Sequence, residues 1–259
     1  MPHRTSLVAG LLSQAAAVVM ALSLPILPAE AAVAPIEASA SQPRAGGPTL
    51  AQGIEAMKRG SDYVAFAILE PYAEQGNRVA EANLASLYLR GRGTGKNPDA
   101  ARRLYESAAA QGLPLAYGLL GAFYQQGDGA PADPKLALGW YRQGAAAGDP
   151  ASLFGLGLMY HNGLGVAANL QQAAKWYRMA ASRGHARAKF MLGVMHYQGR
   201  GVEKDLIEAY KWFALAQAAL PPGPDRDRSI KAANLIEASL PQEELEAARA
   251  SAQNWGPGD

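Results

Sequence analysis

The chain has 259 residues, of which 49% are hydrophobic and 18% are charged, and its formal net charge is +2. This composition excludes a largely disordered chain, and the small charge gives no reason to expect nucleic acid or an anionic membrane as the main partner. The chain contains no cysteine, which excludes disulfides, a lipoprotein anchor, thiol catalysis and thiolate metal sites.

Residues 1–31 have the features of a secretory signal peptide. An apolar run from Leu7 to Leu27 is interrupted by proline near its end, and Ala29 and Ala31 follow as the small residues that a signal peptidase accepts. The pattern predicts cleavage after Ala31 and a periplasmic or secreted protein without an integral membrane segment. The alternative is an uncleaved membrane anchor, because the apolar run is just long enough to span a bilayer.

The segment after the signal predicts a spacer and then the first helices. Residues 32–48 are rich in Ala, Pro, Ser and Gly without periodicity, which is typical of a flexible linker. Residues 49–76 contain two helical stretches and are predicted to form a degenerate N-terminal helix hairpin.

A repeat organises residues 77–220, which divide into four gap-free segments of 36 residues. Each segment has apolar residues at helical spacing in its first half, and an alanine followed by an apolar or aromatic pair in its second. A helix hairpin of this kind buries its apolar face only by stacking on its neighbours. Glycines 36 residues apart stand where the second helix of a hairpin should end: Gly76, Gly112, Gly148 and Gly184.

This repeat resembles the Sel1-like repeat, a relative of the tetratricopeptide repeat. The motif is A-x-x-x-x-LG-x-x-Y-x-x-G-x-G-V followed by A-x-K-WY-x-x-AA-x-x-G, and it is clearest in residues 151–184. The resemblance implies an all-α fold, namely a right-handed superhelical α-solenoid of Sel1-like helix hairpins. Residues 221–259, which begin with the helix-breaking stretch PPGPDRD, are predicted to form C-terminal capping helices and a tail.

The stretch RGRGTGKNPDAA, residues 90–101, is a candidate phosphate-binding loop. That motif requires a glycine five residues before the Gly-Lys pair and a Ser or Thr after it, but Arg90 and Asn97 hold these places. The matching loops of the other repeats keep two glycines without a Gly-Lys pair, so we interpret the glycines as an inter-helix turn and Asn97 as a helix N-cap. A basic cluster in and after this loop is interpreted as a solvated edge: Arg90, Arg92, Lys96, Arg102 and Arg103.

No catalytic constellation is apparent in the sequence. The histidines show no metal-ligand spacing, no serine lies in a G-x-S-x-G elbow, and the adjacent Glu243 and Glu244 fit a solvated helix face. We therefore predict no enzymatic activity, no cofactor and no metal site.

The resemblance implies that the first helix of each hairpin lines a concave groove that seats a partner helix or an extended peptide. Phe154, Phe190 and Tyr197 are the expected anchors. The alternative is that Phe154 and Phe190 only pack between neighbouring repeats. The candidate partner-binding residues of the concave face are Arg90, Phe154, Leu158, His161, Arg187, Phe190, Val194 and Tyr197.

The family resemblance implies a scaffold that binds a protein or peptide, as an adaptor, an assembly factor or a regulator of a signalling partner in the bacterial envelope. One role known in the family is a periplasmic regulator of the sensor domain of a membrane histidine kinase. Two alternative functions stay open. The first is that of cysteine-rich relatives, which are described as penicillin-binding or β-lactam-hydrolysing proteins, although this chain lacks their cysteines. The second is a structural role through contact with peptidoglycan. The sequence carries no signal for the oligomeric state.

Overall fold

The computed structural model describes residues 47–129 and 131–256, and no strand is present in these ranges. The predicted signal peptide and most of the predicted spacer therefore lie outside the described residues. Twelve helices form in the described part, which confirms the predicted all-α repeat fold. They are α1 (Leu50–Lys58), α2 (Asp62–Glu74), α3 (Arg78–Arg90), α4 (Pro98–Ala110), α5 (Pro114–Gln126), α6 (Pro134–Ala146), α7 (Pro150–Asn162), α8 (Leu170–Ser182), α9 (Ala186–Gln198), α10 (Leu206–Ala219), α11 (Pro224–Glu237) and α12 (Gln242–Asn254).

The helices follow one another as hairpins, and the even-numbered helices are the second helices of these hairpins. The starts of these second helices keep a 36-residue spacing from Asp62 at α2 to Gln242 at α12. The period therefore extends beyond the four repeats into both flanking hairpins. At the C-terminal end the first helix, α11, starts two residues later than the period requires, because the proline-rich stretch before it delays the helix start.

The chain divides into two compact units within α7. Their described parts are residues 47–155, here called the N-terminal unit, and residues 156–256, the C-terminal unit. Both units are held by the same contact, in which an aromatic ring of the second helix lies against a small residue of the first. A Cβ atom on Gly121 would lie 2.5 Å from Tyr141, and one on Gly157 would lie 2.3 Å from Tyr177. These distances leave no room for a side chain at either glycine, so the repeat requires small residues there.

Within each unit, a loop that follows a first helix contacts the preceding hairpin. Gly93, in the left-handed region at φ 71°, would place a Cβ atom 2.3 Å from the carbonyl oxygen of Asp62, the first residue of α2. A Cβ atom on Gly201 would lie 2.6 Å from the carbonyl oxygen of Leu170, the first residue of α8. Glycine is thus needed for its backbone conformation and for this close approach. The predicted cap is also present, because the Asn97 side chain accepts a hydrogen bond of 3.0 Å from the Ala100 amide.

One position of the first helices carries a buried charge in each unit. In the N-terminal unit Glu81 is 5% exposed, and its carboxylate accepts hydrogen bonds from Ser107 Oγ at 2.9 Å and Gln111 Nε2 at 2.8 Å. In the C-terminal unit Lys189 is 7% exposed, and its Nζ lies 4.5 Å from the centre of the Trp255 ring. Burial lowers the pKa of Lys189. Each buried charge therefore has a suitable partner: hydrogen-bond donors for the Glu81 carboxylate and an aromatic ring for the Lys189 ammonium.

Trp255 closes the C-terminal hairpin. It follows the last residue of α12 and meets Trp212 of α10 edge to face, with the ring centroids 5.8 Å apart. Trp212 is only 3% exposed. Lys211 lies over its ring, with Nζ 5.1 Å from the ring centre. The terminal segment thus contributes an aromatic contact that the repeat motif does not contain.

Candidate protein-binding face

The first helices of the repeats are buried over most of their length. All residues from Ala80 to Leu87 on α3 and from Ala188 to His196 on α9 are buried. Partly or fully exposed residues remain in the last helical turn of the first helices, at positions that the resemblance predicts to lie on the inner face. We call these the last-turn pairs: Leu89–Arg90 and Gln125–Gln126 in the N-terminal unit, and His161–Asn162 and Tyr197–Gln198 in the C-terminal unit.

The eight residues predicted for the concave face have different degrees of exposure. Phe190 and Val194 are only 3% and 7% exposed, and the Phe190 ring centroid lies 5.7 Å from that of Phe213 on α10. Phe190 therefore packs against the second helix of its own hairpin. Partly exposed side chains are found at the other six positions: Arg90, Phe154, Leu158, His161, Arg187 and Tyr197.

Arg187 is held by the hairpin that follows its own. Its Nε donates a hydrogen bond of 3.0 Å to Oδ2 of Asp225 near the start of α11, and Arg228 contacts Oδ1 of the same carboxylate at 3.4 Å. Asp225 thus neutralises two arginines, and the Arg187 guanidinium is already engaged within the C-terminal unit.

Tyrosines of the second helices reach under the inner face. In the N-terminal unit the hydroxyl of Tyr105 lies 2.9 Å from Ser86 Oγ, and the hydroxyl of Tyr141 donates a hydrogen bond of 2.8 Å to Gln125 Oε1. Burial raises the pKa of Tyr105 to about 12 and raises that of Tyr141 still further. These phenols therefore stay protonated and act as hydrogen-bonding groups, Tyr105 toward the buried Ser86 and Tyr141 toward the last-turn residue Gln125.

The equivalent contact in the C-terminal unit involves His161. Its ring centroid lies 6.2 Å from that of Tyr177, and the spacing of 16 residues between them is the same as between Gln125 and Tyr141. The aromatic pair of each second helix was predicted only as part of the buried apolar face of the hairpin, and the link of these tyrosines to the first helix was missed. The recurring 16-residue spacing is the signal that could have revealed it.

Burial lowers the pKa of His161, and the positive charge of Arg200 lowers it further. Within the described part of the chain, the buried Nδ1 atom of His161 has no hydrogen-bond partner. The His161 imidazole is therefore neutral at pH 7. The other last-turn pair of this unit is Tyr197–Gln198.

The basic cluster of the first repeat is partly neutralised. Arg92 donates two hydrogen bonds to Asp62, from Nε to Oδ2 at 2.6 Å and from Nη2 to Oδ1 at 2.7 Å. Arg102 donates to both carboxylate oxygens of Glu106 at 3.0 Å. The glycines of residues 90–101 therefore belong to a turn whose arginine is used by the preceding hairpin, as the alignment of the loops indicates.

The described residues contain neither a cluster of potential metal ligands nor a helix that could cross a membrane. Among residues 47–129 and 131–256, no group of three or more acidic, histidine or cysteine side chains is placed to hold a metal ion. None of the helices in the same ranges is long and apolar enough to cross a membrane.

Helix hairpins that repeat every 36 residues define the class of all-α repeat solenoids. The profile of the Sel1 repeat matches four consecutive stretches that together cover more than half of the chain: residues 78–113, 114–149, 150–185 and 186–216. The chain belongs to the Sel1 repeat family. None of the curated proteins compared with it matches in sequence.

Solved structures agree with this assignment. A protective antigen of uropathogenic Escherichia coli strains, which displays an SLR fold, is 32% identical and covers 77% of this chain, with a TM-score of 0.65. The chain spans only 43% of that antigen's length. A Sel1 repeat protein from Oxalobacter formigenes is 27% identical, with a TM-score of 0.61, and the match covers 74% of this chain and 75% of that protein.

Proposed function

We propose that this protein is an exported, non-catalytic Sel1 repeat scaffold that binds a protein or peptide through its last-turn pairs and the partly exposed Phe154 and Leu158, as an adaptor or regulator of an envelope or signalling partner. Within the C-terminal unit the proposed contact residues are Leu158, His161 and Tyr197. Arg90 and Phe154 are the proposed contacts of the N-terminal unit. Phe190 and Val194 are buried and are assigned a supporting role beneath this face.

The observation that carries the proposal is a contrast between positions that repeat and positions that vary. The buried partners of each hairpin keep their chemistry, as in the pairs Gly121–Tyr141 and Gly157–Tyr177. The first residue of the accessible last-turn pairs differs in every repeat, and the four are Leu89, Gln125, His161 and Tyr197. A scaffold of constant geometry that presents different side chains in each repeat is suited to recognising an irregular partner surface.

Export is the part of the proposal that rests on residues 1–31. It is supported by the apolar run and the Ala-x-Ala site in the sequence. Mass spectrometry of the protein purified from its native cells should find a mature N-terminus at Ala32. An intact N-terminus in the membrane fraction would instead favour the anchored form.

The test of the binding face is site-specific photo-crosslinking in the native cell. A photoreactive residue at Tyr197, which is partly exposed on the inner face, is compared with one at Lys175, which is exposed on α8. We expect one dominant protein adduct from position 197 and none of that mass from position 175. Equal capture at both positions, or none at position 197, would contradict the proposed face. β-Lactam turnover by the purified protein would contradict the non-catalytic role.

A further inference from the structure

The loop arginine of the first repeat has a carboxylate built into its own unit. Arg92 donates two hydrogen bonds, of 2.6 and 2.7 Å, to the carboxylate of Asp62, the first residue of α2. The next residue, Gly93, brings the loop backbone against the same residue, because its Cβ position lies 2.3 Å from the Asp62 carbonyl oxygen. The backbone contact and the ion pair together fix where the guanidinium lies.

The same two positions recur three repeats later, in the C-terminal unit. Arg200 lies 108 residues after Arg92, and Leu170 lies 108 residues after Asp62. The backbone contact is kept, since the Cβ position of Gly201 is 2.6 Å from the Leu170 carbonyl oxygen. The arginine and its loop are therefore retained in the C-terminal unit, while the carboxylate is replaced by an apolar side chain.

Arg200 has no replacement for that carboxylate. Its side chain is exposed, and within the described ranges it forms no ion pair. Its positive charge reaches His161, whose pKa it lowers, and no acidic group offsets this effect at His161. An exposed guanidinium that forms no ion pair among the described residues thus lies in the loop after α9, three residues beyond Tyr197.

We propose that Arg200 binds a carboxylate of the partner, which neutralises its guanidinium as Asp62 neutralises that of Arg92 within the chain. The partner segment that reaches the C-terminal unit therefore carries an aspartate or glutamate at this point. This inference rests on the proposed binding function and specifies the chemistry of one contact. A guanidinium presented by a fixed loop suits bidentate recognition of a planar carboxylate.

The experiment uses a displayed library of random dodecapeptides, selected on the full mature chain. Peptides that bind are remade with each Asp or Glu changed to the corresponding amide. Their dissociation constants are measured on the native protein, on two test variants and on one control variant. Arg200→Ala removes the guanidinium, and Leu170→Asp supplies the carboxylate from within the chain, as in the first repeat.

We expect acidic residues to be enriched among the selected peptides. Because a partly exposed ion pair is worth up to about 1 kcal/mol, Arg200→Ala should weaken binding roughly fivefold, and so should the peptide's acid-to-amide change. Leu170→Asp should weaken binding by a similar factor while retaining the fold, since an acidic residue is favoured at the first position of a helix. Arg183→Ala removes another exposed arginine of the same unit and should leave binding unchanged.

The outcomes separate this inference from the proposed function. Peptides that bind at the face and respond equally to all three protein variants, or show no preference for acid over amide, would overturn the role of Arg200 while the binding function stands. Failure to select any peptide, together with no adduct from position 197 in cells, would overturn both. An effect of Arg200→Ala without an effect of Leu170→Asp would show that the partner's carboxylate does not neutralise Arg200 as Asp62 neutralises Arg92, and would overturn the proposed pairing.

Discussion

Glu81 in the N-terminal unit and Lys189 in the C-terminal unit occupy the same place in the repeat, 108 residues apart, and both are buried with opposite charges. Glu81 is satisfied by neutral donors from the second helix of its own hairpin, Ser107 and Gln111. Lys189 is covered instead by the face of Trp255, which comes from the end of the chain. The repeat therefore tolerates either charge at this place, provided that a neighbouring element supplies the matching group.

The largest effect should come from removing the cover of Lys189. Trp255→Ala deletes a half-buried indole that packs on Trp212, and we expect the free energy of unfolding to fall by about 2–3 kcal/mol. Trp255→Phe keeps an aromatic face over the ammonium and should lose less than half as much. Chemical denaturation followed by circular dichroism measures both. Equal losses for the two variants would show that ring size, and not the aromatic face, matters here.

Breaking the Glu81 network should have the next largest effect. Glu81→Ala leaves the Ser107 hydroxyl and the Gln111 amide without their acceptor, which should cost about 2 kcal/mol of unfolding free energy. Glu81→Gln retains one acceptor oxygen and should cost less than about 1 kcal/mol. If the alanine variant is as stable as the native chain, the network does not stabilise the N-terminal unit.

The two units should also respond oppositely to acid. Burial lowers the pKa of His185 to about 4 and also lowers the pKa values of His161 and His196, whereas residues 47–155 contain no histidine. Because the neutral forms are favoured in the fold, their stabilising contribution is complete above pH 6.5 and is lost as the pH falls toward 4. We expect the C-terminal unit to lose about 1 kcal/mol by pH 5.5.

Asp149 should act in the other direction in the N-terminal unit. Burial raises its pKa, so protonation is favoured in the fold, and acid relieves a cost instead of adding one. Hydrogen exchange at pH 7.5 and 5.5, corrected for the intrinsic exchange rates, should show loss of protection confined to residues 156–256. Equal loss in both units would refute this difference.

The smallest effect should follow from replacing the buried ammonium itself. Lys189→Met keeps most of the side-chain volume and removes the desolvated charge, while it also loses the contact with the Trp255 face. The two changes oppose each other, and we expect the free energy of unfolding to rise by less than about 1 kcal/mol. The matched variant Glu81→Met should be destabilised, because its two donors lose their acceptor. Destabilisation of both variants by the same amount would show that the buried charges of Glu81 and Lys189 contribute equally to stability, which would contradict the proposed difference.

The repeated part of the fold was well predicted from the sequence, because residues that make the same contact recur at the same position in successive repeats. Small residues facing aromatic residues, such as Gly157 and Tyr177, and the cap at Asn97 follow from alignment of the segments. The contact of Trp255 with Trp212 could not be predicted in this way, since it occurs once and lies outside the period.

The candidate face was only partly predictable. The family pattern assigns positions to the inner side of a helix but does not state which of them stay accessible. Phe190 and Tyr197 both fall on that side, yet the first is buried against Phe213 and the second is partly exposed. The difference depends on packing around α9, which is buried over nine consecutive residues, and helical periodicity alone does not contain that information.

The contact of Gly93 and of Gly201 with the preceding second helix has a consequence for how such a chain can change over evolutionary time. Gly93 meets Asp62 and Gly201 meets Leu170 through backbone atoms, so the join between hairpins does not depend on the neighbouring loop side chain. Arg92 and Arg200 can therefore acquire different uses without altering the join. A duplicated stretch of 36 residues would carry both halves of this contact with it, and the array could lengthen while each new loop remained free to diverge.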